Sequence, residues 1–170
     1  MQRSDQINNV LEMGINQHQQ KPLTMRTINE IIIHCTATEA EQLVTIEEID
    51  QWHKARGWKG CGYHCVVHQN GLISTGRPIA EIGAHCKGHN AHSIGIAYVG
   101  GLLNGKPADT RTFEQIESMV SLIEALTQLF PTIIAVRGHN EYSHKACPCF
   151  NVQAFCLVHN LPPYNLAGYR

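Results

Sequence analysis

Two short runs of apolar, mostly β-branched residues constrain the fold of this chain more than any other feature. Ile31-Ile32-Ile33 leads directly into His34, and Thr132-Ile133-Ile134-Ala135-Val136 leads into a polar stretch that begins at Arg137. Such runs are typical of strands that are buried on both faces. We therefore expect a sheet in which polar side chains follow the ends of two buried strands, where a rigid scaffold can hold a site.

Two capping boxes predict helices elsewhere in the chain. Thr45 is followed by Glu48, and Thr112 by Gln115. In this pattern the threonine hydroxyl bonds the backbone three residues later, and the Glu or Gln side chain reaches back. Apolar residues follow each box at helical spacing and should face the core. They are Ile46, Ile49 and Trp52 in the first helix, and Phe113, Ile116, Met119, Val120, Ile123 and Leu126 in the second.

Further strands are predicted between and after these elements. Residues 61–68 form a strand candidate that turns at Asn70-Gly71 into a second strand at residues 72–74. Residues 93–99 predict another strand, and Val152, Phe155 and Cys156 indicate a terminal helix. Strands interleaved with helices indicate an α/β fold.

The length of 170 residues is most simply that of one domain. We expect an N-terminal appendage at residues 1–26, which includes a short helix because Ile7, Val10 and Leu11 follow helical spacing. The main domain is expected at residues 27–160, and an irregular tail at residues 161–170.

The composition argues against several classes of protein. There are 13 Lys and Arg against 14 Asp and Glu, so the formal net charge is -1 and no basic field is available to attract nucleic acid. No run approaches the ~20 apolar residues of a membrane span. Residues 1–21 do not resemble a signal peptide, so we expect synthesis in a reducing cytoplasm, where the 7 cysteines stay free thiols.

The stretch at residues 137–150 has the residue types of a metal site. It contains His139, Lys145 and Cys147, while the first buried strand ends in His34. Imidazole and thiolate are suitable zinc ligands, and a catalytic zinc takes three protein ligands and one open position. Ligands far apart in sequence fit a catalytic site set into a sheet better than a zinc finger. The alternative for a lone histidine such as His34 is a hydrogen-bonded core residue.

Two other groups of histidines and cysteines are weaker metal candidates. In the strand at residues 61–68, His64 and His68 would lie ~13 Å apart, too far to share a metal. We expect Cys61 and Cys65 there to be buried apolar residues. The loop at residues 84–92 holds three histidines but has no carboxylate and no regular ligand spacing. We therefore interpret this loop as a polar groove wall rather than as a second metal site.

Five segments between residues 29 and 155 form a specific pattern. They are I-I-I-H-C-T-A-T, I-D-Q-W-H-K-A-R-G-W, G-Y-H-C-V-V, G-x-N-x-x-S-I-G-I at residues 88–96, and R-G-H with K-A-C-P. In order and spacing the pattern resembles the zinc-dependent N-acetylmuramoyl-L-alanine amidases, a family that includes the amidase-type phage lysozymes and the animal peptidoglycan recognition proteins.

The resemblance implies a fold, a cofactor and its ligands. The family fold is a mixed central β-sheet flanked by helices, which agrees with the predicted elements. The family's zinc ligands fall on His34, His139 and Cys147 and hold one Zn²⁺ per chain. Cys149 is a competing thiol two residues away, and only the family motif assigns the ligand to Cys147.

The resemblance also implies residues that act on the substrate, which would be peptidoglycan or a muropeptide. The family's catalytic tyrosine falls on Tyr63, and the catalytic lysine of the phage enzymes falls on Lys145. His85 and Asn90 match positions in the substrate groove. The expected reaction is hydrolysis of the amide bond between the lactyl group of N-acetylmuramic acid and L-alanine.

Several alternatives remain. A peptidoglycan-binding module that has lost hydrolysis typically lacks the cysteine ligand, whereas Cys147 is present here. A purely structural zinc would need Cys35 or Cys149 as a fourth ligand. Some phage relatives also bind a second protein, but nothing in this chain indicates such a regulator. We expect a phage or prophage lytic enzyme that is released to the cell wall, and action on soluble muropeptides is the alternative setting.

Overall fold

The computed structural model describes residues 26–161 and, before them, Asp5, Ile7, Asn8 and Glu12. The strands are β1 (Glu30–Cys35), β2 (Thr38–Glu39), β3 (Cys65–Val67), β4 (Ile73–Thr75), β5 (Ser93–Tyr98), β6 (Gly101–Leu103), β7 (Lys106–Pro107) and β8 (Ala135–Gly138). The helices are α1 (Ile46–Ala55), α2 (Phe113–Leu129) and α3 (Val152–Val158), and short 3-10 helices cover Asn90–His92 and His139–Glu141.

A five-stranded mixed sheet forms the centre of the domain. Its strand order is β4-β3-β5-β1-β8, in which β4 is antiparallel to β3 and the other neighbours are parallel. All residues of β1 are buried, as its isoleucine run predicts, and β5 and β8 pair with it on its two sides. A separate small sheet contains β2, β6 and β7.

Helices cover both faces of the central sheet. Ile31 and Ile33 of β1 point toward one face, where they share a core with residues of α2 and α3 such as Met119 and Phe155. Val66 of β3 belongs to a smaller cluster on the other face, together with Ile49 of α1. The prediction of a single α/β domain with a mixed central sheet flanked by helices is confirmed.

The helix starts are confirmed, but two of the predicted core residues are wrong. Thr45 Oγ1 accepts from the Glu48 amide at 3.2 Å, so the first capping box forms, and the second forms at Thr112. Trp52, however, is 37% exposed and Phe113 is 69% exposed.

Polar contacts explain why those two side chains face solvent. The Gln115 side-chain amide donates to the Val67 and Val99 carbonyls at 3.1 and 2.9 Å, which turns this polar residue of α2 toward the sheet. His53 is similarly buried in α1, where its Nδ1 accepts from the Gly62 amide. Apolar periodicity misses helix faces that are anchored by buried polar groups.

The strand predicted at residues 132–136 begins later in the chain than expected. Pairing starts at Ala135, and Ile134 is 66% exposed. Thr132 Oγ1 donates to the Ile28 carbonyl, and the Ile133 amide donates to the Phe130 carbonyl. The first residues of the run therefore form the turn that leads from α2 to the sheet.

The strand predicted at residues 61–68 is also shorter, and only Cys65–Val67 pairs. The amides of Cys61 and Gly62 bond the side chains of Asp50 and His53 on α1 instead of a neighbouring strand. The segment before β3 is therefore a connection from the helix to the sheet.

The predictions for the chain ends fall mostly outside the described residues. Ile7 is described and lies in the main core at 6% exposure, so this side chain packs with the domain. The rest of residues 1–25 and residues 162–170 are not described apart from Asp5, Asn8 and Glu12. Among the described helices, none has the length and apolar content needed to cross a membrane.

Candidate active site

His34 and His139 are brought together by the pairing of β1 with β8. The strands are parallel, and Ile33 lies opposite Gly138. The next residue in each segment is a histidine, His34 within β1 and His139 directly after β8, so both imidazoles lie at the same end of the sheet. Their ring centroids are 4.6 Å apart. His34 is buried and His139 is half-buried.

The loop after β8 brings Cys147 back to these histidines. Cys147 Sγ lies 3.8 Å from His34 Nδ1. The ligand atoms of His34, His139 and Cys147 all lie within 4.8 Å of one another. Tyr98 donates its hydroxyl to the Pro148 carbonyl at 2.8 Å, which anchors the loop to β5. The structure therefore brings together the three side chains predicted as zinc ligands.

The surroundings of these side chains favour the protonation states that metal binding requires. Burial lowers the pKa of His34 well below its usual range. Burial and the charge of Lys145 lower the pKa of His139, so both imidazoles are neutral at neutral pH. Hydrogen bonding from the Cys35 side chain lowers the pKa of Cys147, and the Cys35 backbone N–H, 3.3 Å from the sulfur, acts in the same direction.

A relay of hydrogen bonds orients His34. Ser93 Oγ donates its single hydrogen to the His89 carbonyl at 2.8 Å, so it accepts from His85 Nε2 at 3.3 Å. His85 Nδ1 is then an acceptor, and His34 Nε2 donates to it across 3.0 Å. The unprotonated nitrogen of His34 is therefore Nδ1, which faces Cys147. Contacts of this kind fix the tautomer of metal-binding histidines in proteins.

Small residues on β5 make room for His85. Ser93, Gly95 and Ala97 alternate with larger residues that face the main core. A Cβ at Gly95 would lie 2.6 Å from two ring carbons of His85, closer than any side chain tolerates. This contact was not predicted from the sequence, although the alternation of small and large residues in β5 is a signal for it.

Tyr63 and Lys145 border the same cluster. The centroid of the Tyr63 ring lies 5.2 Å from that of His34 and 5.2 Å from that of His53. Burial raises the pKa of Tyr63 above its ordinary value, so its hydroxyl stays protonated. Lys145 is exposed on the loop, and its charge lowers the pKa values of His34 and Cys147 as well as that of His139.

The two residues predicted to contact substrate make internal contacts in the structure. His85 is 8% exposed and lies behind His34. Asn90 is half-buried, and its Oδ1 accepts from the His85 and Cys86 amides at 2.8 and 2.9 Å, which shapes the loop. Substrate binding by His85 and Asn90 stays a prediction.

The competing thiol Cys149 contacts Cys35. Its sulfur lies 3.8 Å from Cys35 Sγ. Cys35 is itself buried in the main core and offers Cys147 its backbone N–H. Among the described residues, neither thiol belongs to the group formed by His34, His139 and Cys147.

Comparison with known proteins identifies the family. The family model described as N-acetylmuramoyl-L-alanine amidase matches residues 24–150. The chain belongs to this family. The predicted resemblance and the predicted amidase activity are therefore confirmed.

Phage proteins and solved amidase structures are similar to this amidase. The endolysin of Escherichia phage T7 is 39% identical over 124 residues, which cover 72% of this chain and 82% of that protein. The amidase LysC from Clostridium intestinale URNW superposes with a TM-score of 0.70 at 30% identity, covering 86% of this chain and 95% of its own. Drosophila PGRP-LB superposes with a TM-score of 0.63 at 24% identity, covering 82% of this chain and 84% of its own, which shows a shared fold.

Proposed function

We propose that this amidase hydrolyses the bond between N-acetylmuramic acid and L-alanine in peptidoglycan with one zinc ion held by His34, His139 and Cys147. The main support is the convergence of the three donor atoms within 4.8 Å, although His34 and Cys147 are 113 residues apart in the chain. Two imidazoles and a thiolate are a donor set that suits zinc.

The number of ligands favours a catalytic zinc over a structural one. A structural zinc needs four protein ligands, whereas a catalytic zinc leaves one position open. In the described part of the chain, neither candidate fourth ligand, Cys35 or Cys149, belongs to the group whose donor atoms lie within 4.8 Å of one another. His139 and Cys147 are only half-buried, which leaves a side of the cluster accessible to substrate.

The residues around the zinc ligands suit amide hydrolysis. Zinc bound there would supply a Lewis acid for the scissile carbonyl and would lower the pKa of a coordinated water to roughly 7. In this proposal Lys145 donates to the negative oxygen that develops as the carbonyl is attacked. Tyr63, whose ring lies beside His34 and whose hydroxyl is protonated, orients the attacking water or the carbonyl by hydrogen bonding.

His85 is proposed as a positioning residue for His34. We expect His85→Phe to weaken zinc binding by about tenfold to a hundredfold, because His34 loses the acceptor that fixes its tautomer. His85→Gln should recover part of the loss, since its carbonyl oxygen can accept the same hydrogen bond. Competition with a chromophoric chelator measures both affinities. Equal losses in the two variants would mean that His85 contributes packing alone.

The setting we propose is lysis of the cell wall. One protein to which this chain is similar, from Escherichia phage T7, is named an endolysin. The test is to incubate purified protein with intact sacculi and, separately, with soluble muropeptides. New amino-terminal alanine from sacculi, without new reducing sugar ends, supports a lytic amidase. Release from soluble fragments alone would assign the enzyme to muropeptide turnover instead.

A further inference from the structure

A second group of metal-binding side chains lies at the other end of β1. Glu30 Oε1 is 2.9 Å from His89 Nδ1 and 3.1 Å from His92 Nε2. These three ligand atoms all lie within 4.8 Å of one another. We propose that Glu30, His89 and His92 form a second site, which binds a divalent first-row transition ion such as Zn²⁺.

The ligand atoms are nearly as far apart as they would be around a bound ion. Tetrahedral zinc bonds to imidazole nitrogen and carboxylate oxygen are about 2.0–2.2 Å long, so neighbouring ligand atoms lie roughly 3.3–3.6 Å apart. The two histidine nitrogens already converge on the same oxygen at 2.9 and 3.1 Å, so a small outward shift would admit an ion. Two imidazoles and one carboxylate form a donor set that zinc, nickel, copper and iron accept.

The carboxylate is built into the fold rather than placed on the surface. Glu30 is 5% exposed, on a strand that is paired on both sides. The Tyr142 hydroxyl donates to Glu30 Oε2 at 2.6 Å, which leaves Oε1 directed at the histidines. A hydrogen bond to the second carboxylate oxygen is the support that metal-binding carboxylates usually have.

The two histidines are held by separate contacts. The His89 ring stacks on Tyr142 with centroids 3.8 Å apart and an angle of 28° between the planes. His92 ends the 3-10 helix that precedes β5, and Ser93 Oγ donates to the His89 carbonyl. His89 and His92 are partly exposed at 30% and 37%, so solvent can complete the coordination of an ion.

The second site is distinct from the amidase site. Glu30 and His34 lie on the same face of β1, ~13 Å apart at the rise of a strand. The second site also has no thiolate among its ligands, so it should bind zinc more weakly than the site that contains Cys147. An ion there would tie the loop at residues 84–92, which carries His85, to β1.

The test counts the ions bound by the full-length chain. Metal-free wild-type protein is dialysed against Zn²⁺ and its metal content is measured, together with that of Glu30→Gln and His92→Asn. We expect two ions per chain in the wild type and one in each variant. The exposed substitutions Glu41→Gln and His144→Asn are matched controls that should keep both ions.

The result can be read independently of the amidase proposal. Cys147→Ala should lose the other ion, and Co²⁺ in place of zinc should show sulfur-to-metal charge-transfer absorption that disappears in Cys147→Ala and persists in Glu30→Gln. Gln keeps the shape of Glu30 and the bond from Tyr142, and His92 is partly exposed, so both variants should fold. One ion in the wild type, or two in both Glu30→Gln and His92→Asn, would overturn the second site.

Discussion

Cys147→Ala is expected to lose the catalytic zinc and to lower hydrolysis of sacculi by at least about a thousandfold. The reason is that a Lewis acid contributes several kcal/mol to stabilising the transition state, and each 1.36 kcal/mol corresponds to about tenfold in rate. His34 and His139 alone offer two ligands, too few for a catalytic zinc. Metal analysis and the rate of amino-terminal alanine release measure the two effects.

Cys149→Ala is the matched control for this prediction. Cys149 is also a half-buried thiol, two residues away on the same loop, but its sulfur faces Cys35. This variant should keep its zinc and most of its activity. If Cys149→Ala lost the metal and Cys147→Ala retained it, the ligand assignment would be reversed.

Lys145→Met is expected to lower kcat by about 10²–10³ while the catalytic zinc remains bound, because one hydrogen-bond donor to the developing oxyanion is lost. Methionine keeps most of the length of the side chain and removes its charge. Because Lys145 is exposed and its charge acts on the zinc ligands, the substitution should change the chemistry without disturbing the core. Steady-state kinetics on soluble muropeptide or sacculi measures the loss of kcat, and metal analysis shows whether the zinc is still bound.

The control for Lys145 is a lysine on another exposed part of the domain. Lys106, in the short strand β7, is exposed, and Lys106→Met should leave kcat near the wild-type value. If Lys145→Met raised KM and left kcat unchanged, its role would be substrate binding rather than oxyanion stabilisation.

The buried strand β1, the helix starts and the positions of the two histidine ligands were predictable, because the pattern of neighbouring residues in the sequence determines them. The run Ile31-Ile32-Ile33 specifies a strand buried on both faces, and β1 is buried throughout. Both capping boxes form at the predicted threonines. Parallel pairing of β1 with β8 then carries His34 and His139 to the same end of the sheet, although β8 is an outer, half-buried strand rather than the second buried strand that the sequence predicts.

Contacts between distant polar residues could not be predicted in the same way. The bond from His34 to His85 spans 51 positions of the chain, and it depends on the space left by Gly95. The loop at residues 84–92 contains three histidines but no carboxylate. In the structure Glu30, 59 positions before His89, brings a carboxylate to this loop. Sequence spacing alone does not indicate which strand will pass beside a loop.

The exposure of Trp52 and Phe113 was also not predictable, because it too depends on polar contacts between residues that are distant in sequence. Apolar periodicity assigns these large side chains to the core, yet buried Gln115 and His53 bond backbone groups near the sheet and set the rotation of each helix. A hydrogen bond to an otherwise unpaired buried group decides the orientation, since leaving that group unpaired costs about 1–3 kcal/mol.

The most direct test of zinc-dependent hydrolysis uses protein that has been stripped of metal with a chelator and then dialysed. Release of amino-terminal alanine from purified sacculi is measured before and after zinc is returned. We predict that the stripped protein is inactive and that activity returns as the first equivalent of zinc binds, with Cys147→Ala remaining inactive. Undiminished release by the stripped protein would contradict the proposed mechanism.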